Sequence, residues 1–174
     1  MTTHGFLAET DNEGKYWTHG ARWPGWDRKM GKVDVYGQML VFNDRLLCGV
    51  DVFVESIRVR RGRTLGDKGQ RLFAREPGAG EDNWSVFVPL HVRAMGLAGE
   101  KLCVAGPPDI VPGDDPLAAI QGRRGARLWT LSASDGSKQA EFRLDVAPVF
   151  DGLIAAHRRL YLATVDGKIA CLGE

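Results

Sequence analysis

The sequence has few of the features that would indicate a metal site, a disulfide framework or a membrane protein. It contains three cysteines in 174 residues, an odd number at distant positions with no CxxC pair, which argues against a disulfide or zinc framework. No run of about 18 apolar residues occurs, so we expect no membrane insertion. The formal net charge is +1, which does not suit a nucleic-acid partner.

An export signal is also missing from the start of the chain. The first six residues contain neither a basic segment nor an apolar core, as a signal peptide would require. The chain as it stands is therefore predicted to be cytoplasmic. A periplasmic or extracellular location is expected instead if it forms part of a larger exported protein, so localisation stays open.

Recognisable catalytic motifs are absent as well. The histidines form no HxxxH or HxH pair, and no serine or cysteine stands in a nucleophile-elbow motif. Asp109, Asp114 and Asp115 share a Pro/Gly-rich segment, but their spacing lacks the alternation of a calcium loop. A surface insertion capped by Asp115 is the preferred interpretation. We predict no catalytic residue, no metal site and no cofactor.

What the chain has instead is an internal repeat. Each unit contains an apolar run, a short polar turn, and a second apolar run that opens with a basic residue and leucine. The three copies are residues 38–50, 94–106 and 152–164. Their basic residues Arg45, Lys101 and Arg159 recur about every 57 residues. Each copy is predicted to be a β-hairpin.

Further strands follow each hairpin. A third apolar run occurs at 71–74, 127–130 and 168–171, and a fourth, with alternating apolar residues, follows the first two units at 83–88 and 138–144. The only helix candidate is residues 115–120, inside an insertion, where an Asp cap precedes proline. The pattern predicts an all-β protein made of blade-sized units.

The second and third units resemble PQQ-type, or quinoprotein-like, β-propeller repeats. The segments that carry the likeness are 128–136, 148–152 and 159–172, although Phe142 stands where the family usually has tryptophan. The chain is similar to the C-terminal blades of larger bacterial PQQ-like repeat proteins. The resemblance implies an all-β partial β-propeller of about three four-stranded antiparallel blades. We place them at 37–90, 92–144 and 148–174, the last completed by the N-terminal segment 5–20.

Three blades are too few for a ring, since propellers close with about 4 to 8 blades and an unclosed array exposes strand edges. We therefore predict a non-catalytic protein-interaction or scaffold module, completed by self-association, for example as a six-bladed homodimer, or by partner chains. An alternative is a fragment of a quinone-dependent dehydrogenase, which would use PQQ and calcium. No set of residues here matches that family's cofactor site.

Two groups of residues are candidates for binding a ligand or partner. Aromatic rings near the N-terminus would stack on a glycan or anchor a peptide, or would pack over an open blade edge. They are Tyr16, Trp17, Trp23 and Trp26. Two basic runs occupy corresponding places between strands and would bind phosphate or an acidic partner, or would be solvated loops. Their candidates are Arg60, Arg61, Arg123 and Arg124.

Overall fold

In the part of the chain that the structure describes, the regular structure consists of β-strands. A computed structural model describes residues 2–3, 17–19, 35–37, 39–51, 69–111 and 113–173. The strands are β1 (Thr2–Thr3), β2 (Trp17–His19), β3 (Val35–Gly37), β4 (Met39–Phe42), β5 (Leu47–Asp51), β6 (Gln70–Arg75), β7 (Trp84–Val88), β8 (Ala94–Ala98), β9 (Lys101–Gly106), β10 (Ala126–Ser132), β11 (Lys138–Leu144), β12 (Pro148–Ala156), β13 (Arg159–Thr164) and β14 (Ile169–Leu172). Over these ranges, no helix has the length and hydrophobicity needed to cross a membrane.

These strands form antiparallel sheets in which neighbours along the chain are neighbours in space. The first blade has the order β4-β5-β6-β7, and the second is built in the same way from β8 to β11. The third contains β12, β13 and β14, and a small separate sheet contains β1, β2 and β3. The described sheets do not close into a ring. The all-β class predicted from the repeat and the partial β-propeller implied by the resemblance are confirmed, with three strands described in the third blade.

The hairpin turns lie where the repeat placed them. The Asn43 side chain accepts hydrogen bonds at 2.9 Å from the backbone N–H groups of Arg45 and of the residue after it. Gly99 has a φ of 59°, and His157 and Arg158 have φ values of 50° and 63°. Positive φ matches the twist of tight two-residue hairpins. These local turns therefore set the register of the first two strands in each blade.

The first and second blades share one hydrophobic core. It receives Met39, Val50 and Leu72 from the first blade, and Met95 and Val104 from the second. Strand pairing places Met39 beside Val50 and Val50 beside Leu72, so these side chains lie on one face of the sheet. Alternation along each strand turns that whole face toward the second blade.

A tryptophan joins these two blades at their outer strands. The indole Nε1 of Trp84, in β7, donates a 2.8 Å hydrogen bond to the carbonyl of Ala133 in the β10–β11 turn. Its ring covers Gly136, where a Cβ atom would lie 2.6 Å from the ring, and Gly136 has a φ of 73°. Glycine is required there because the ring approaches closely and the φ is left-handed.

The second and third blades meet in a smaller core. Cys103 and Leu128 of the second blade pack with Leu153 and Leu162 of the third. Gly96 lies directly beneath the Leu153 side chain, where a Cβ atom would clash with it. The absence of a side chain at Gly96 allows β8 and β12 to pack closely.

The insertion between β9 and β10 forms successive turns where we predicted a helix. Asp115 does cap this segment, since its carboxylate accepts hydrogen bonds from the backbone N–H groups of Leu117 and Ala118. The segment then ends at Gly122, which has a φ of 79°. The backbone N–H of Arg123 bonds to the carbonyl of Ala118, one residue further back than in an α-helix. The helix candidate at 115–120 does not form a regular helix, because the left-handed glycine ends the segment first.

The third blade has three strands, not four, among the residues described. Our prediction assigned its fourth strand to the N-terminal segment 5–20. Residues 17–19 of that segment form β2, which pairs with β1 on one side and β3 on the other. Since both of its edges are occupied, β2 is not available to β14. The remainder of segment 5–20 lies outside the described residues, and its pairing stays a prediction.

Asp151 provides a test of the third blade's electrostatics. It interrupts β12 with a φ of 56°. The residue is exposed to solvent, but partial desolvation of its carboxyl still raises the pKa. A raised folded-state pKa means that the ionised carboxylate destabilises the fold above that pKa, and that the penalty disappears below the unfolded value of about 3.9. We expect Asp151→Asn to raise the urea midpoint at about pH 7 and to match wild type near pH 3. A gain confined to acid pH would contradict this assignment.

Candidate functional site

The outward face of the third blade is apolar and open. Cross-strand pairing aligns Ile154, Tyr161 and Cys171 on one face, opposite the face that carries Leu153 and Leu162. Ile154 is 62% exposed, and Ile169 on the same face is 73% exposed. We call this surface, formed by Ile154, Tyr161, Ala163, Ile169 and Cys171, the open face. Isoleucines this exposed on the two outer strands of one sheet face are typical of an interaction surface.

The open face is bordered by a free strand edge. Within the described ranges β14 has one hydrogen-bonded neighbour, β13, whereas β6 and β10 each have two. The second neighbour of β6 is β7, and that of β10 is β11. A free edge presents a row of backbone N–H and C=O groups to a strand from another chain.

An exposed phenylalanine flanks the vacant strand position. Phe142 pairs with Leu128 across β10 and β11, and Leu128 belongs to the core shared with the third blade. Phe142 therefore lies on the side of β11 that faces the third blade, yet it is 52% exposed. In the first blade, β7 occupies the fourth-strand position that is vacant in the third blade. There it packs Trp84 against the second blade. Phe142 is exposed because no described strand follows β14.

The first blade differs from the third on its outward face. Leu40, Leu47 and Phe73 form a separate buried cluster there, and each is at most 8% exposed. This apolar face is covered within the chain itself. The open face of the third blade is therefore the outward blade face that is available to a partner among the described parts of the molecule.

The three cysteines are unequal in accessibility. Cys48 and Cys103 are buried and Cys171 is exposed. Burial raises the pKa of the Cys48 thiol to about 12 and also raises the pKa of Cys103. Neither buried thiol is set up as a nucleophile, because reactivity requires the thiolate. Cys171 is thus a natural probe on the open face.

Two of the predicted binding arginines are paired with acidic residues of their own insertion. Arg123 forms an ion pair with Asp115 and also bonds to Gln121 at 2.7 Å. Arg124 forms a 3.0 Å ion pair with Asp114. The hydrogen bond and charge of Arg123 lower the pKa of Asp115. Our interpretation of this segment as a surface insertion fits these contacts, whereas a role of either arginine in binding stays a prediction.

Most of the other candidate binding residues lie outside the described residues. Trp17 is the first residue of β2, and the structure describes only its backbone. The others are Tyr16, Trp23, Trp26, Arg60 and Arg61. The proposed aromatic platform and the first basic run therefore remain predictions.

The polar groups described here do not assemble into a metal centre. Over the described ranges, no three His, Cys, Asp or Glu side chains are placed to hold a metal ion. His157 occupies the β12–β13 turn, as the repeat predicted. Asp109 is buried at 7% exposure, and its backbone N–H donates to the carbonyl of Pro89 at 2.9 Å. Asp109 therefore anchors the start of the insertion through its backbone, and His157 forms part of a hairpin turn.

Sequence reasoning missed the residues that make up the open face. Ile154, Ile169 and Cys171 were assigned to strands, but their outward orientation was not identified. The available signal was the alternation along 153–156 and 169–172, combined with the lack of a fourth apolar run in the third unit. An apolar strand residue usually faces a core. The exposure of these residues therefore became apparent only when the structure showed which face of the blade packs on the second blade.

Comparisons with known proteins relate the fold to solved structures. No family model and no curated protein sequence matches the chain. The computationally designed Ika4 protein superposes with a TM-score of 0.51 at 11% identity, covering 85% of this chain and 76% of that chain. BamB from Moraxella catarrhalis gives a TM-score of 0.44 at 14% identity, covering 71% of this chain and 35% of that chain. The likeness to Ika4 is one of fold alone.

Proposed function

We propose that this protein is a non-catalytic interaction module with PQQ-like repeats, whose third blade is completed by a β-strand from another chain. The observation that carries the proposal is the combination of an open apolar face, a free β14 edge and exposed Phe142. Strand addition supplies affinity through backbone hydrogen bonds and specificity through alternate side chains. One added strand would form hydrogen bonds with the free backbone groups of β14 and would cover Phe142.

The first two blades indicate the chemistry of the strand that fits. In β7, the alternate residues Trp84, Val86 and Val88 pack toward the second blade. In β11, Phe142 and Leu144 lie in the same way on the face toward the third blade. The partner segment should therefore be extended, with apolar residues at every second position and no proline within it.

The first blade argues against the six-bladed homodimer as the form of completion. Such a ring would pack the open face of one copy against the outward face of the first blade in another. That face carries Leu40, Leu47 and Phe73, which are already buried. A partner that reaches β14 and the open face directly meets no such obstruction.

The proposal predicts slower hydrogen exchange in β14 when a suitable strand binds. The probe is a synthetic peptide of residues 138–144, the fourth strand of the second blade. When nine-tenths of the protein has peptide bound, amide hydrogen exchange at the edge of residues 169–172 should slow by about tenfold. Thiol labelling of Cys171 should slow in parallel. The matched control is the same peptide with Ala140→Pro, which lacks a backbone donor in mid-strand and should protect neither.

Light scattering on the protein alone shows whether the strand comes from a second copy of this chain or from a different protein. A dimer that dissociates in the Ile169→Lys variant would make a second copy the partner and would support completion by another chain. A monomer that gains protection from the peptide supports a different partner protein. A monomer in which both peptides leave β14 exchange and Cys171 labelling unchanged would overturn the proposal.

A further inference from the structure

A pocket of about 300 Å³ lies on the outer part of the second blade. Three of its lining residues are arginines: Arg124 from the insertion, Arg127 from β10 and Arg143 from β11. Arg143 follows Phe142 along the strand, so its side chain points to the opposite face of the sheet. The pocket is therefore separate from the vacant strand position. Its volume is at the lower end of the range for small-molecule sites.

Two of these arginines are direct cross-strand partners. Arg127 lies opposite Arg143 in the β10–β11 ladder. Directly opposed residues on one face have Cβ atoms about 5 Å apart, and like charges in that position destabilise a sheet. An anion held between the two guanidinium groups would convert this repulsion into attraction. Arginine suits that task because its planar fork pairs with phosphate or carboxylate oxygens through two hydrogen bonds.

Direct ion pairs engage two of the three arginines. Arg127 forms a 3.0 Å ion pair with Glu141, and Arg124 is paired with Asp114. No acidic side chain among the described residues pairs with Arg143. Asp114 is itself 76% exposed, and such exposed pairs contribute little energy. An incoming dianion can therefore bind Arg143 and can also compete with Asp114 for Arg124.

A glycine shapes the wall of the pocket. Gly125 has a φ of 71°, and a Cβ atom there would lie 2.8 Å from the carbonyl oxygen of Leu144. The chain between Arg124 and Arg127 thus runs close against the end of β11 because this position has no side chain. The close approach places an arginine of the insertion beside the two arginines of the sheet.

We infer that the Arg124–Arg127–Arg143 pocket binds the phosphate group of a small phosphate ester. Asp145 also lines the pocket, and it forms no ion pair with these arginines in the described structure. Its carboxylate accepts hydrogen bonds, so it suits a ligand that carries a hydroxyl group beside the phosphate. A phosphorylated polyol meets both requirements. This inference stands independently of strand addition at the third blade.

Calorimetric titration at constant ionic strength tests the inference. The probes are glycerol 3-phosphate, inorganic phosphate and, for ionic-strength effects, chloride. We expect glycerol 3-phosphate to bind more tightly than inorganic phosphate, and Arg143→Ala to weaken both by at least about tenfold. Arg45→Ala is the matched control, because it removes an exposed arginine from a distant hairpin turn. It should leave both affinities unchanged.

A second measurement reports on the opposed charges without any ligand. In phosphate-free buffer, Arg143→Ala should raise the urea midpoint because it removes the repulsion from Arg127. Equal phosphate affinity in Arg143→Ala and wild type would overturn the inference, as would equal stabilisation by chloride. The absence of measurable heat together with an unchanged melting temperature in phosphate would also overturn it.

Discussion

Replacing Trp84 with alanine is expected to lower the free energy of unfolding by about 3–5 kcal/mol. The indole is buried at 9% exposure, and it fills the space between the outer strand of the first blade and the β10–β11 turn of the second. The variant loses the hydrogen bond to Ala133 and uncovers Gly136. Urea denaturation followed by circular dichroism measures the change.

Two further variants separate packing from hydrogen bonding at this position. Trp84→Phe keeps most of the apolar contact but removes the donor to the Ala133 carbonyl, so a smaller loss of about 1–3 kcal/mol is expected. Phe142→Ala is the control, because its aromatic ring belongs to an outer strand but is 52% exposed. Its effect should stay within about 0.5 kcal/mol. Similar losses from Trp84→Ala and Phe142→Ala would contradict the docking role of Trp84.

Replacing Leu162 with alanine is expected to cost about 2–5 kcal/mol and to act mainly on the third blade. Leu162 has 0% exposure and lies in the core shared by the second and third blades. That core is smaller than the one between the first and second blades, so fewer neighbouring groups can compensate for the cavity. Hydrogen exchange in β13 and β14 should accelerate before exchange in β5 and β6.

Ile154→Ala is the matched control for the third blade. Ile154 lies next to Leu153 in β12 but points outward and is 62% exposed, so its truncation should change stability by about 0.5 kcal/mol or less. The same change should weaken partner binding if the open face is an interface. An equal loss of stability in the two variants would show that the open face is covered in solution. Leu162→Ala would then no longer distinguish the two faces of the blade.

The hairpins and most of the strands could be predicted from the sequence because they depend on local signals. Hairpin turns at Asn43, Gly99 and His157 are specified by residues that accept turn geometry, and strands are marked by alternating apolar residues. The helix expected at 115–120 failed for a local reason as well, since Gly122 adopts a left-handed φ. A capping signal indicates where a helix can begin, but it does not show that the helix continues.

The candidate site was only partly accessible from the sequence. The basic run that contains Arg123 and Arg124 was expected to bind phosphate or an acidic partner, but the position of Arg143 opposite Arg127 became apparent only from the β10–β11 pairing. Those two residues lie on consecutive strands, but no sequence motif indicates that they are directly opposite each other. The third unit was expected to differ from the first two because no fourth apolar run was assigned to it, whereas the exposure of Ile154, Ile169 and Phe142 was not expected. Exposure depends on which neighbouring surfaces are present.

The repeat, the hairpins and the all-β class could be inferred from the sequence alone, because each depends on residues close together in the chain. Tertiary structure decided which face of each blade is covered and which edge is left free. Those properties arise from contacts between blades, such as Trp84 on Gly136 and Leu153 on Gly96. Contacts of that kind bring together residues about 50 positions apart, whose meeting is set by blade stacking and not by local pattern.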